Sequence, residues 1–199
     1  MQKTIYFLLL LLLCLAILSL FIGVALILFL FDGRPIFFVQ KRVGKDGTLF
    51  LLFKFRTMVE GAEALKTKYA QLNESDGPAF KIREDPRFTF FGRFLSHTGL
   101  DELPQLYNVL LGDMALIGPR PLPIEEVAKL KSWMRERHSI KPGIISPWVF
   151  EGYHSRPFVE WMKSDIAYTR TKSWLTDARL VLKALPYMFR LFVTEIIGA

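Results

Sequence analysis

One cysteine, three histidines and no charge at all across residues 5–31 are the shortages of this 199-residue chain. Cys14 stands alone in an apolar run, so no internal disulfide can form and no zinc centre can be completed. That usage agrees with a reducing compartment. His97, His138 and His154 make no serine–histidine–acid or cysteine–histidine arrangement, which removes the usual nucleophilic hydrolase chemistries. No nucleic-acid-binding motif occurs, so nucleic acid is not an expected partner despite the basic balance. Internal repeats are missing, and low complexity is confined to the leucine run near the N-terminus. Proline is absent from residues 1–34, so no ring there bends a helix.

What is present points toward anions and a membrane. Lys and Arg outnumber Asp and Glu by 26 to 19, giving a net charge of +7 and a pI of about 9.6. Phosphates, nucleotides and anionic lipid head groups are the partners this balance favours. Eighteen Phe and four Trp suit contact with membrane lipids. Residues 5–31 would make about 40 Å of helix, enough to cross a bilayer core. The run exceeds a signal-peptide h-region, and no A-x-A-like site precedes Asp32, so an anchor is expected rather than a cleaved leader. Lys41, Arg42, Lys45, Lys54 and Arg56 follow closely, and the positive-inside rule puts the globular part in the cytoplasm. The expected architecture is α+β. Residues 1–32 form a membrane-inserted helix, re-entrant or spanning, with spanning as the default. Residues 33–199 form a compact catalytic domain with a small hairpin and several partly interfacial helices.

Beyond Asp32-Gly33-Arg34-Pro35, residues 36–43 and 48–57 read as two strands joined by the turn Gly44-Lys45-Asp46-Gly47. Alternation puts Lys54 and Arg56 on one strand face and Phe53 and Phe55 on the other. Residues 60–69 read as a short polar helix. Arg83, Arg87 and Arg93 then arrive among Phe88, Phe90, Phe91 and Phe94, offering planar donor forks suited to phosphate oxygens. Asp101 and Glu102 come next. With Asp101 as N-cap, Pro104 falls in the first turn, where its missing N–H costs nothing. Leu103, Leu106, Tyr107, Leu110 and Leu111 then share an apolar face that ends at Gly112. An acid pair at a helix start is ordinarily a cap and a dipole partner, but here cations surround it. Residues 114–117 read as a buried strand running into Gly118-Pro119-Arg120-Pro121. The two prolines stiffen the backbone around Arg120, lowering the entropic cost of gripping an anion with it. Residues 124–138 read as a charged helix, and Lys141-Pro142-Gly143 as a turn. From Asp177 onward the chain is apolar with Lys183 and Arg190 interspersed. That pattern fits an interfacial helix, kinked or divided at Pro186, better than a second span.

Four motifs occur in order: Lys54-Phe55-Arg56-Thr57-Met58, Asp85-Pro86-Arg87, Leu100-Asp101-Glu102-Leu103-Pro104-Gln105 and Gly118-Pro119-Arg120-Pro121. With them, residues 7–185 resemble the bacterial sugar transferases, small monotopic phosphoglycosyl transferases acting on polyprenol phosphate. The resemblance implies transfer of a sugar 1-phosphate from a UDP-sugar to undecaprenyl phosphate, at the cytoplasmic face of the bacterial inner membrane. It implies Asp101 as the nucleophile of a covalent phosphosugar intermediate, Glu102 as a metal or positioning partner, and Mg²⁺ held by Asp101 and Glu102. Arg120, then Arg87, Arg93, Lys54 and Arg56, are the cations expected to bind the phosphates and nucleotide. Asp165, ahead of Ala167-Tyr168, matches an acid that recurs in the family. The chemistry is consistent: phosphates and a carboxylate repel, so fixed cations and a divalent ion must neutralise them. Mg²⁺ favours one or two carboxylates plus substrate phosphates.

The chain also departs from the family pattern. Ser19 is followed by Leu20 where the family helix carries Ser-Pro, and Ser96-His97 replaces basic residues. Gly99 replaces a Ser, and the continuation after Pro142-Gly143 differs. These departures leave a second class standing, a catalytically silent membrane protein that binds nucleotide sugars or scaffolds glycan assembly. Self-association is left open, as is the identity of the sugar.

Overall fold

Thirty consecutive residues without proline form α1 (Gln2–Phe31) in the computed structural model, which describes residues 2–151 and 156–197. His154 lies outside the described residues. The helix is unbroken through Ser19, whose Oγ donates to the Leu15 carbonyl at 2.9 Å. Residues 5–16 are exposed throughout. Near the other end Val24 and Leu28 are buried against Phe55 and Leu95, with Phe21, Ala25, Ile36, Phe91 and Phe94 around them. Burying a leucine such as Leu28 contributes about 2 kcal/mol, so this patch ties the helix to the body of the protein. The Phe21 ring lies 4.9 Å from Phe55 and 5.9 Å from Phe37.

The expected hairpin is present. β1 (Phe37–Val43) and β2 (Leu49–Phe55) pair antiparallel, with Phe38 opposite Lys54 and Arg42 opposite Phe50. Asp46 (φ 53°) and Gly47 (φ 80°) supply the left-handed backbone of the turn. Residues 60–69, expected as a helix, are instead turns around one 3-10 turn, Ala64–Lys66. Gly61 has φ +73°, and the 3-10 turn buries no side chain, so nothing holds a regular helix there.

α2 (Phe90–Thr98) starts at Thr89, whose hydroxyl accepts from the Gly92 N–H at 3.0 Å and donates to Asp32 Oδ2 at 2.7 Å. It ends at Gly99 with φ +74°. A 3-10 turn (Leu100–Glu102) leads into α3 (Gln105–Leu111), closed by Gly112 as expected. The orientation of α3 reverses the expected one. Gln105 and Asn108 are buried, while Tyr107, Leu110 and Leu111 are 54 to 84% exposed. The apolar stripe faces outward, which periodicity alone does not reveal, because a membrane and a core attract the same side chains.

β3 (Ala115–Ile117) pairs in parallel with β4 (Gly143–Ile145), a strand too short to separate from the expected turn. At the end of this pair Gly118 and Gly143 face one another so closely that a Cβ on either would strike backbone. The expected helix over 124–138 is divided into α4 (Ile124–Val127) and a 3-10 segment, Ser132–Ser139. The break at Lys131, which is extended with ψ 155°, lets Leu130 and Met134 both enter a core with Leu122, Trp148, Phe158, Trp161 and Met162. α5 (Phe158–Thr171) supplies much of that core. α6 (Trp174–Ile197) runs through Pro186 undivided, with Ala184 buried and Leu182, Leu185, Phe189, Ile196 and Ile197 exposed. The architecture is α+β: mostly helix, with two two-stranded sheets among the described residues.

Candidate active site

Gly99 stops α2 in the left-handed conformation, and the following 3-10 turn carries Asp101 and Glu102. Asp101 is therefore not an N-cap. Its side chain caps no backbone N–H, and α3 begins only after Pro104. The tight turn aims both carboxylates at β2. Lys54 Nζ sits 3.0 Å from Asp101 Oδ2 and 3.0 Å from Glu102 Oε1. Arg120 Nη1 approaches the same Glu102 oxygen at 2.8 Å. Asp101 is 4% exposed.

Burial acts on both acids, with opposite outcomes. It pushes the Asp101 carboxyl up, and the Glu102 charge adds to this, outweighing Lys54 and Arg120. For Glu102 burial also pulls upward, but Arg120 and Lys54 overcome it and hold the group at about 2. At neutral pH Glu102 is a fixed anion between two cations. Asp101 is the acid whose ionisation depends on Lys54.

Two supports lie behind this cluster. Asn108 is fully buried; its Oδ1 accepts from the Phe53 N–H at 3.1 Å and its Nδ2 donates to the Leu51 carbonyl at 2.6 Å. This amide locks α3 to the strand that bears Lys54, so the acids and their ammonium keep a fixed spacing. Arg137 donates from Nε and Nη2 to Asp165 Oδ2 at 2.9 and 2.6 Å, and from Nη2 to the Arg120 carbonyl at 2.5 Å. The buried Arg137–Asp165 pair thus braces the backbone of Arg120 from behind. Asp165 belongs to this brace.

The other expected cations are engaged elsewhere. Arg56 Nη2 donates to the carbonyls of Asp32 and Gly33, closing the C-terminal end of α1. Arg87 is buried against Asp85, donates to the Ala62 carbonyl at 3.1 Å and lies over the Phe80 ring. Arg93 is exposed and meets Glu84 and Glu195. Each satisfies local carbonyls or acids, whereas Lys54 and Arg120 converge on the acid pair. Among the described residues no group of three or more His, Cys, Asp or Glu could cage a metal. The two converging carboxylate oxygens are hard donors of the kind Mg²⁺ takes alongside substrate phosphates, and in that sense the pair fits the ion.

The sequence profile described as bacterial sugar transferase matches residues 1–191. The chain belongs to this family. As a bacterial sugar transferase it is 41% identical over 155 residues to "Galactosyl transferase CpsE" of Streptococcus agalactiae, covering 77% of this chain and 34% of that protein. It is 36% identical over 165 residues to "Undecaprenyl-phosphate galactose phosphotransferase" of Salmonella typhimurium, covering 80% and 34%. It is 32% identical over 159 residues to "Exopolysaccharide production protein ExoY" of Sinorhizobium fredii, covering 78% and 70%. This bacterial sugar transferase chain therefore spans about a third of the first two relatives and more than two thirds of the third.

Sequence reasoning missed Asn108 and Arg137. The signal for Asn108 was present: a poor helix former placed mid-helix among leucines often has a backbone partner. Arg137 gave no signal, because its partner lies 28 residues away.

Proposed function

We propose that this bacterial sugar transferase is a phosphoglycosyl transferase that moves a sugar 1-phosphate from a UDP-sugar to undecaprenyl phosphate. The observation that carries the reading is the convergence of Asp101 Oδ2 and Glu102 Oε1 on Lys54, with Arg120 on Glu102. The relatives' printed names, undecaprenyl-phosphate galactose phosphotransferase among them, support the same substrate class. Asp101 attacks the sugar-linked phosphorus. A bond from its carboxylate oxygen to phosphorus forms as the anhydride bond breaks, and the electron pair leaves on UMP. An oxygen of undecaprenyl phosphate then attacks the same phosphorus and releases the Asp101 carboxylate. Lys54 favours the ionised nucleophile against its burial, and Glu102 holds Arg120 beside the reacting phosphate. Asp101 and Glu102 would hold Mg²⁺, which supplies charge neutralisation on the substrate phosphates.

α1, the one helix among the described residues long and apolar enough to cross a membrane, anchors the protein in the bacterial inner membrane with residues 33–199 on the cytoplasmic side. Its unbroken course supports a spanning helix. An impermeant thiol reagent applied from outside should reach a cysteine placed at Lys3; reaction from the cytoplasmic side alone would overturn spanning.

Membranes containing the protein should release UMP from a UDP-sugar and undecaprenyl phosphate when Mg²⁺ is supplied. Asp101→Asn should abolish this, and wild-type turnover in that variant would sink the nucleophile assignment. Donor alone should leave a sugar phosphate on the peptide containing Asp101, read by mass spectrometry. Donor binding without adduct or UMP would favour a silent binding protein instead.

A further inference from the structure

Beside the acid pair lies a shallow recess lined by Arg42, Leu52, Lys54, Gln105, Arg120 and Pro121. Lys54 and Arg120 already have roles there; Arg42 does not. Strand alternation places Arg42 on the hairpin face that also carries Lys54. Its Nη1 donates to the Pro121 carbonyl at 3.0 Å, so the guanidinium is tied to the chain one residue beyond Arg120. Its Nε is buried and has no acceptor among the described residues. Burial, with Arg120 adding to it, pulls the Arg42 pKa down to about 10, which leaves the group cationic at neutral pH. Glu126, Glu102 and Glu63 pull its pKa back up by their charges. Arg42, Lys54 and Arg120 line the recess with no carboxylate among its lining residues, so the wall an incoming anion would meet is cationic.

We infer that Arg42 is a second phosphate ligand of this site, holding the phosphate that leaves with the nucleoside while Arg120 holds the phosphate that Asp101 attacks. The assignment rests on the transferase reading. The order follows from connectivity: Arg120 touches Glu102 next to Asp101, whereas Arg42 is anchored at the Pro121 carbonyl and bonds neither acid, which sets it further from the attacking carboxylate. When the anhydride bond breaks, its electron pair arrives on the oxygen nearest Arg42, and a fixed guanidinium there is suited to stabilise it.

In steady-state assays Arg42→Met should raise the donor KM and weaken UMP inhibition by about tenfold or more, the effect of removing a charge-assisted contact. The acceptor KM should stay within about twofold, and Arg42→Lys should recover part of the loss because it keeps the charge without the fork. A rise in acceptor KM alone would place the guanidinium on the polyprenyl phosphate and overturn the assignment, as would no change in either constant. Calorimetry with inorganic pyrophosphate on the full chain needs no turnover. If the wild type transfers no sugar phosphate, the transferase reading fails, while equal pyrophosphate affinity in wild type and Arg42→Met still overturns Arg42 separately. Should Arg42→Met not fold, dicarbonyl modification of Arg42 in the wild type decides. Pyrophosphate should protect the residue, and equal modification with and without it would overturn the proposal.

Discussion

Asp101 and Glu102 are neighbours in the chain, yet their surroundings drive their carboxyls in opposite directions. In the proposed mechanism Asp101 attacks as a carboxylate, so activity should fall as pH drops through its pKa. Burial raises that pKa and Lys54 lowers it. Lys54→Met should therefore move the acid limb of kcat/KM to higher pH, with a loss of roughly tenfold or more at neutral pH; an unmoved limb would refute the pairing's role. His138 offers a stability test away from the acids. Its Nε2 is buried without a partner among the described residues, and burial together with Arg137 and Arg135 pulls its pKa down to about 4. Because the folded value lies below the ordinary one of about 6.5, the stability it contributes is full above that pH and drains away as pH falls toward 4. Melting temperatures at pH 7 and pH 5 should therefore differ less in His138→Gln than in the wild type. At this scale Asp101, Glu102, Lys54 and Arg120 were legible as motif residues. Arg120 ranked first in the sequence through its flanking prolines, but Arg56, Arg87 and Arg93 also read as ligands, because nothing in a linear motif says which carbonyl or carboxylate each guanidinium will meet.

The helix and strand ends carry the site more than the elements themselves. Gly118 and Gly143 let β3 and β4 approach where the chain turns into Pro119-Arg120-Pro121, and Arg137 then holds the Arg120 carbonyl. Gly143→Ala forces a Cβ into the Gly118 backbone and should cost about 1–3 kcal/mol. Because the displaced segment carries Arg120, turnover should fall more than the loss of folded protein accounts for. Parallel loss of activity and of melting amplitude would mean that the contact serves stability alone. α1, the hairpin and the helix ending at Gly112 were legible, since long periodicity and turn residues act locally. The 60–69 segment and the helix expected over 124–138 were not. Gly61, left-handed in a stretch whose 3-10 turn buries nothing, breaks the first, while the extended Lys131 follows packing, with Leu130 and Met134 drawn into a core whose other members lie up to 32 residues from Leu130.

Across the whole molecule, apolar surface is exposed on α1, on α3 at Tyr107, Leu110 and Leu111, and on α6 at Trp174, Leu185 and Phe189. A body with this much exposed hydrocarbon suits a bilayer surface. Trp174 is 80% exposed at the start of α6. In vesicles containing brominated lipid its fluorescence should be quenched, and Trp174→Phe should remove most of the quenchable signal; quenching unchanged by that substitution would place α6 in water. The sequence by itself determined the long apolar helix, the basic character, the hairpin and the position of the acid pair, because chain-local hydropathy, charge and turn chemistry specify these without reference to distant residues. Only the tertiary structure decided which cations meet Asp101 and Glu102, that Asp165 braces Arg120 through Arg137, and that the apolar face of α3 turns outward. Those outcomes depend on pairings between residues far apart in the chain and on which medium, protein or lipid, covers a given apolar stripe.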